Sequence, residues 1–212
     1  MIHNPDNIRQ AGKPLGEAGK VMVMVHGRGG SAADILSLSQ YIDDPDFAFI
    51  APEATGNTWY PYSFLRPTAE NEPYLTAALG SLAGLSARLQ ADFNINSTQI
   101  YWLGFSQGAC LLLEHVARHA MPYGGVFALS GGLIGPEGSP RDYQGSFDQT
   151  PVFLGCSDRD SHVPEERVLE SERVFTKLGA AVTTRLYPNF GHTINEDELK
   201  IVNLLIAGQP VA

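Results

Sequence analysis

The sequence is poor in basic residues for its size. Its 14 Lys and Arg are outnumbered by 23 Asp and Glu, which gives a formal net charge of −9. Nucleic acids and anionic membrane surfaces attract proteins through clustered Lys and Arg, and the chain has no run of five basic residues. We therefore expect no nucleic-acid partner.

Cysteine and long apolar runs are scarce as well. Cys110 and Cys156 form neither a disulfide framework nor a metal-ligand spacing, and are most simply buried small hydrophobes in a reducing compartment. No apolar run approaches the roughly 20 residues of a membrane span, and the polar start of the chain lacks the apolar core of a signal peptide. We expect a cytoplasmic protein with no membrane insertion.

Apolar runs and amphipathic segments alternate along most of the chain. A length of 212 residues predicts a single domain over 1–212, with residues 1–19 as a peripheral N-terminal segment. Strands are predicted at 21–25, 47–51, 99–103, 125–129, 151–155 and 182–187, and helices at 31–42, 73–93, about 109–120, 164–178 and 195–206. Such alternation is typical of an α/β fold, with a mostly parallel central sheet and helices on both faces.

One five-residue segment, Gly104-Phe105-Ser106-Gln107-Gly108, lies between a predicted strand and a predicted helix. A serine at so sharp a turn is held in a strained conformation and needs small residues two positions away on each side. This context favours a nucleophilic Ser106 over a glycine-rich turn with an incidental serine.

The partners of such a serine should also follow strands, because ligand sites in these sheets lie at the strands' carboxyl ends. His192 follows the strand 182–187 in a glycine-flanked turn, and two aspartates follow the strand 151–155. The order Ser, Asp, His is that of the α/β-hydrolase arrangement, in which the imidazole takes the serine proton and the carboxylate orients the imidazole. We favour Asp160, three residues before Val163-Pro164, and keep Asp158 open because it can instead cap the loop.

An acyl-transfer site also needs two donors for the developing oxyanion. We assign the backbone amides of Gln107 and of Arg28, the latter in the glycine-rich segment 26–30. We expect substrate to contact Trp59, Tyr60, Tyr62 and His162. Aromatic residues can instead pack a long loop against the body of a protein. Arg28 and Arg66 can assist an anionic substrate, but exposed solubilising charge is the simpler interpretation. No metal is expected, since the candidate residues lack ligand spacing.

Taken together, these motifs resemble the phospholipase/carboxylesterase family of α/β hydrolases, which includes acyl-protein thioesterases and is close to dienelactone hydrolases. The matching segments are 26–30, Trp59-Tyr60-Pro61, 104–108, 129–132, the stretch from Asp160 to Pro164 and Gly191-His192. The resemblance covers about residues 16–207. It implies a compact fold without a large lid domain, a triad of Ser106, Asp160 and His192, and an oxyanion hole at Arg28 and Gln107.

Two segments depart from the thioesterase-type pattern. His26-Gly27-Arg28-Gly29-Gly30 stands where those proteins usually carry His-Gly-Leu-Gly-Asp, and the acid loop at 158–162 differs. We therefore expect a cofactor-free serine carboxylesterase that hydrolyses a small-molecule ester through an acyl-enzyme. A lysophospholipase or acyl-protein thioesterase is the alternative, and a non-catalytic ligand-binding relative is less favoured because all three triad positions are filled. The sequence leaves open whether the chain works alone or as a homodimer.

Overall fold

Seven strands form one sheet in the computed structural model, which describes residues 2–4 and 6–211. The strands are β1 (Ile8–Gly12), β2 (Lys20–Val25), β3 (Phe47–Pro52), β4 (Ile100–Phe105), β5 (Gly125–Leu129), β6 (Pro151–Ser157) and β7 (Ala181–Tyr187). Their order across the sheet is β1-β3-β2-β4-β5-β6-β7. Only the β1–β3 pair is antiparallel, so the predicted mostly parallel sheet is confirmed.

Five α-helices are found in the described part of the chain. They are α1 (Ala32–Leu36), α2 (Tyr74–Phe93), α3 (Gln107–Arg118), α4 (Glu165–Lys177) and α5 (Glu196–Ile206). Ser31 caps α1 as its sequence position predicts, through a capping box with Asp34. The predicted helix 31–42 is nevertheless two pieces, since α1 passes into the 3₁₀ turns Ser37–Tyr41. None of the helices is both long and apolar enough to cross a membrane, as far as the described residues go.

The strand β1 was not predicted; it lies in the segment 1–19, for which the sequence predicted a peripheral position but no strand. Residues 8–12 pair with β3 at the edge of the sheet. An edge strand needs no continuous apolar run, and all five residues of β1 are partly or fully exposed. The segment Ile-Arg-Gln-Ala-Gly therefore carries too few apolar residues to be recognised as a strand.

The helices cover both faces of the sheet, and β2 shows how the sequence achieves this. Val21, Val23 and Val25 pack with the buried residues of α2, α3 and α4, whereas Met22 and Met24 pack with those of α1 and α5. Because successive side chains of a strand point to opposite faces, a continuous apolar run is needed where both faces are covered. The carboxyl ends of the parallel strands then meet at one edge, where the candidate residues gather.

Candidate active site

Ser106 lies between the end of β4 and the start of α3, in a backbone conformation with φ 54° and ψ −121°. Positive φ is strained for a residue with a side chain. Two glycines make the turn sterically feasible. A Cβ at Gly108 would overlap the carbonyl oxygens of Val25 and His26, and one at Gly104 would overlap the side chain of Leu112. The small residues on either side of Ser106 are therefore required by close backbone packing.

The imidazole of His192 bridges Ser106 and Asp160. Its Nε2 lies 2.7 Å from Ser106 Oγ, and its Nδ1 lies 2.6 Å from Asp160 Oδ2. Since a carboxylate accepts from Nδ1–H, Nε2 is left with a lone pair directed at the serine hydroxyl. The structure thus brings together the three residues that the sequence analysis selected.

The surroundings of Asp160 favour its ionised form. Its side chain is fully buried, and its Oδ1 accepts the backbone amides of His162 at 2.8 Å and Val163 at 3.0 Å. Burial acts to raise the pKa of Asp160, but the His192 hydrogen bond and the two amides outweigh it and hold that pKa below its usual value. A charged carboxylate therefore faces His192.

Asp158, the alternative acid, has a different task. Its Oδ1 accepts the backbone amide of Asn189 at 2.8 Å, and so it caps the loop after β7 as the sequence analysis allowed. Ser157, which is not among the predicted site residues, supports the same loop. Its buried hydroxyl oxygen lies 3.1 Å from the amides of Phe190 and of Gly191, the residue before His192. In the sequence, the only indication of this role is the position of Ser157 just after a predicted strand.

The predicted oxyanion donors both border the cavity at Ser106. Gln107 is the first residue of α3, so its amide is among those that have no carbonyl partner within the helix. The Arg28 amide lies in a turn that is closed by the Gly30–Gly27 hydrogen bond at 3.1 Å and tied to Asn57 through Gly29 at 2.7 Å. Within the described residues the Arg28 amide has no acceptor, which leaves it available to a ligand.

His26 holds this turn from behind. Its Nε2 accepts the amide of Ala54 at 3.1 Å, so Nδ1 carries the proton and donates to the carbonyl of Gly27 at 2.8 Å. Burial lowers the pKa of His26, which favours the neutral form that this bonding requires. His26 is thus a structural support for residues 26–30, which we call the oxyanion segment.

The expectation that Trp59 contacts substrate is corrected by its position. Trp59 is fully buried and is not among the residues that line the cavity at Ser106. Its indole N–H donates to the carbonyl of His26 at 2.9 Å, and its own amide donates to Gln107 Oε1 at 2.9 Å. An indole that finds a backbone acceptor inside the protein can be buried whole, and Trp59 therefore anchors its loop to the oxyanion segment.

The other three residues expected to contact substrate do line the cavity, whose volume is about 680 Å³. Tyr60 forms a buried part of the wall, and Tyr62 is 56% exposed at the rim. The ring of His162 meets that of His192 edge-on, with centroids 4.7 Å apart. Cys110 also borders the cavity, but burial raises the pKa of its thiol to about 12, so it remains an inert thiol.

Comparison with known proteins shows the family of this chain. A model of the family described as phospholipase/carboxylesterase matches residues 8–207. The chain belongs to this family. The resemblance stated from the motifs is therefore confirmed, as is the α/β-hydrolase fold class, and the family's members are enzymes that hydrolyse esters.

Individual relatives show how far the similarity extends. The crystal structure of a phospholipase/carboxylesterase from Dyadobacter fermentans is 45% identical, with a TM-score of 0.93 over 98% of both chains. Acyl-protein thioesterase 1 of Kluyveromyces lactis is 28% identical over 76% of this chain and 78% of its own length. The thioesterase of the same name from Debaryomyces hansenii is 33% identical over 51% of this chain, a match that spans 47% of that relative.

Proposed function

We propose that the protein is a serine carboxylesterase that hydrolyses small-molecule esters through an acyl-enzyme. The main support for this proposal is the position of the His192 imidazole. Its Nε2 lies 2.7 Å from Ser106 Oγ, and its Nδ1 lies 2.6 Å from Asp160 Oδ2. A serine hydroxyl is a poor nucleophile until a base can take its proton, and here that base is in contact.

In the acylation step, His192 Nε2 takes the proton of Ser106 as Oγ attacks the ester carbonyl carbon. The carbonyl oxygen becomes negative and accepts hydrogen bonds from the amides of Arg28 and Gln107. His192 then gives its proton to the alcohol oxygen, the carbon–oxygen bond of the ester breaks, and the alcohol leaves. Water repeats the sequence on the acyl-enzyme, which releases the acid and returns the proton to Ser106.

Two fixed charges support these steps. The buried carboxylate of Asp160 stabilises the imidazolium that forms when His192 takes the proton. The N-terminus of α3, with a partial positive charge, lies directly behind Ser106 and faces the oxyanion. Both groups are in place before substrate binds, so neither has to reorganise during the reaction.

The proposed partner is a small ester with an apolar part. The cavity of about 680 Å³ is lined by Tyr60, Tyr62 and Phe64, together with Ser106 and His192. Pockets of this size and lining bind mainly through apolar contact, with a few polar groups that set orientation. No cofactor enters this chemistry, because Ser106, His192 and the two amides supply nucleophile, base and oxyanion donors.

The first test is Ser106→Ala. We expect turnover of p-nitrophenyl acetate and butyrate to fall at least about a thousandfold, since no hydroxyl remains to form the acyl-enzyme. A fluorophosphonate probe should add one label to the wild-type chain, seen by intact mass, and none to the variant. Ser37→Ala is the control, because Ser37 is exposed and its hydroxyl donates only to the carbonyl of Asp34.

Unchanged turnover or labelling in a folded Ser106→Ala variant would refute the proposal. A series of acyl chain lengths separates the alternatives within the same chemistry. Rates that fall with increasing length support a carboxylesterase for small esters, whereas a rise beyond eight carbons favours a lysophospholipase or thioesterase.

A further inference from the structure

An arginine borders the cavity at Ser106. Neither Asp nor Glu is among the described residues that line this cavity, whereas Arg28 is. The side chain of Asp160 is fully buried and bonded to His192 and two amides. In a protein whose net charge is −9, such a cavity is a local exception.

The guanidinium of Arg28 is held by neutral acceptors. Nη1 donates to Thr58 Oγ1 and to the carbonyl of Pro61, both at 2.9 Å, and Nη2 donates to the carbonyl of Tyr62 at 2.8 Å. Its Cζ also lies 6.0 Å from the centre of the Tyr60 ring, within the range of a cation–π contact. No ion pair with Arg28 occurs among residues 2–4 and 6–211.

These contacts orient the charge without neutralising it. A guanidinium has five N–H donors, of which the two on Nη1 and one on Nη2 are used. The Nε–H and one Nη2 hydrogen have no partner among the described residues. Nε and Nη2 lie on one edge of the guanidinium, an edge that can bind a carboxylate. Arg66 shows the contrast, because its Nε and Nη2 lie 2.9 Å and 2.7 Å from the carboxylate of Glu70.

We propose that Arg28 binds a carboxylate carried by the ester substrate, so that the preferred substrates are esters with one free acid group and an apolar body. The apolar body would contact Tyr60 and Phe64, which line the same cavity. This inference rests on the proposed esterase function. It assigns a specificity role to the Arg28 side chain, in addition to the oxyanion role of its backbone amide.

The carboxylate can reside on either product of hydrolysis, and two matched pairs of esters separate these sources. On the acyl side, mono-p-nitrophenyl adipate is compared with the p-nitrophenyl ester of adipic acid monoamide. On the alcohol side, 4-acetoxybenzoate is compared with 4-acetoxybenzamide. Each pair differs only in the charged group, and rates with Ser106→Ala supply the blank for spontaneous hydrolysis.

For the wild-type enzyme, we expect kcat/KM to be about tenfold or more higher for the carboxylate-bearing ester than for the matched amide-bearing ester in at least one pair. Arg28 is exposed, so this preference should shrink as ionic strength rises. In Arg28→Gln the ratio should fall to near one, and in Arg28→Lys part of it should remain because the charge is kept. Arg66→Gln is the matched control and should leave the ratio as it is.

The ratio of the two kcat/KM values distinguishes a specificity role of Arg28 from a merely structural one, in which its side chain only holds residues 58–62 in place. Loss of this structural support would lower the rates of acid and amide by the same factor and leave their ratio unchanged. An unchanged ratio in Arg28→Gln, or a wild-type enzyme without preference for either acid, would overturn the inference. If the enzyme still hydrolysed the ester bonds of the two neutral, amide-bearing compounds in a Ser106-dependent way, the proposed esterase function would hold even though the inference about Arg28 failed.

Discussion

Glu198 in the first turn of α5 carries a pH-dependent cost to stability. Its side chain is 1% exposed, and only Oε2 has a partner, the amide of Asn195 at 2.9 Å. Oε1 faces the backbone of β6 near Gly155 and has no partner among the described residues. Burial, with a smaller effect of the neighbouring Asp197, raises the pKa of Glu198 from 4.5 to about 7 against the opposing effect of the Asn195 amide.

The direction of the pH effect follows from linkage. Because the folded-state pKa lies above the unfolded value, the folded protein holds this proton more tightly. The contribution to stability is full below about pH 4.5 and is lost as the pH rises through about 7. At about 1.4 kcal/mol per pKa unit, the ionised form costs on the order of 3 kcal/mol above that range.

Glu198→Gln removes the charge and keeps the shape. Glutamine can take the same place in a capping box, so the Asn195 contact is retained. We expect the free energy of unfolding of the variant to be close to that of the wild type at pH 5 and higher by up to about 3 kcal/mol at pH 8. Urea unfolding of both proteins at pH 5, 6, 7 and 8 measures this difference directly.

Glu196→Gln is the control for this experiment. Glu196 lies in the same first turn but is exposed, so its loss removes only a favourable interaction with the helix dipole, worth about 0.3–1 kcal/mol. That variant should be slightly less stable at pH 8. A Glu198→Gln effect that is independent of pH, or that lowers stability at pH 8, would refute the burial argument.

Two further pairs of variants test the site and its turn. Asp160→Asn should lower kcat of ester hydrolysis by about four orders of magnitude, because the carboxylate that fixes the imidazole tautomer and stabilises the imidazolium is lost. Asp158→Asn should cost less than about tenfold, and the reverse ranking would make Asp158 the acid. Gly108→Ala should destabilise the fold by about 1–3 kcal/mol in urea unfolding, the range typical of forced overpacking, since its Cβ would overlap the Val25 carbonyl. Gly80→Ala, in α2 with open space around it, should stabilise by about 0.5–1 kcal/mol, and equal effects of the two would contradict the packing argument.

The candidate triad was accessible from sequence because each member follows a strand within a few residues. Parallel topology alone then carries Ser106, Asp160 and His192 to the same edge. Such local signals were lacking elsewhere. The edge strand β1 has no apolar run, and an aromatic loop residue such as Trp59 has the same sequence signature whether it faces a ligand or the core.

What the sequence pattern does not contain is the long-range bonding that joins the oxyanion segment 26–30 to the aromatic segment 57–62. Side chains of Arg28 and Gln107 bind the second segment, and Asn57 and Trp59 bind back to the first. The two residues whose amides are assigned to the oxyanion therefore also bind the segment that forms part of the cavity wall. A group that binds at this wall is coupled to the oxyanion donors by direct contact, and so changes at 57–62 should alter kcat as well as KM.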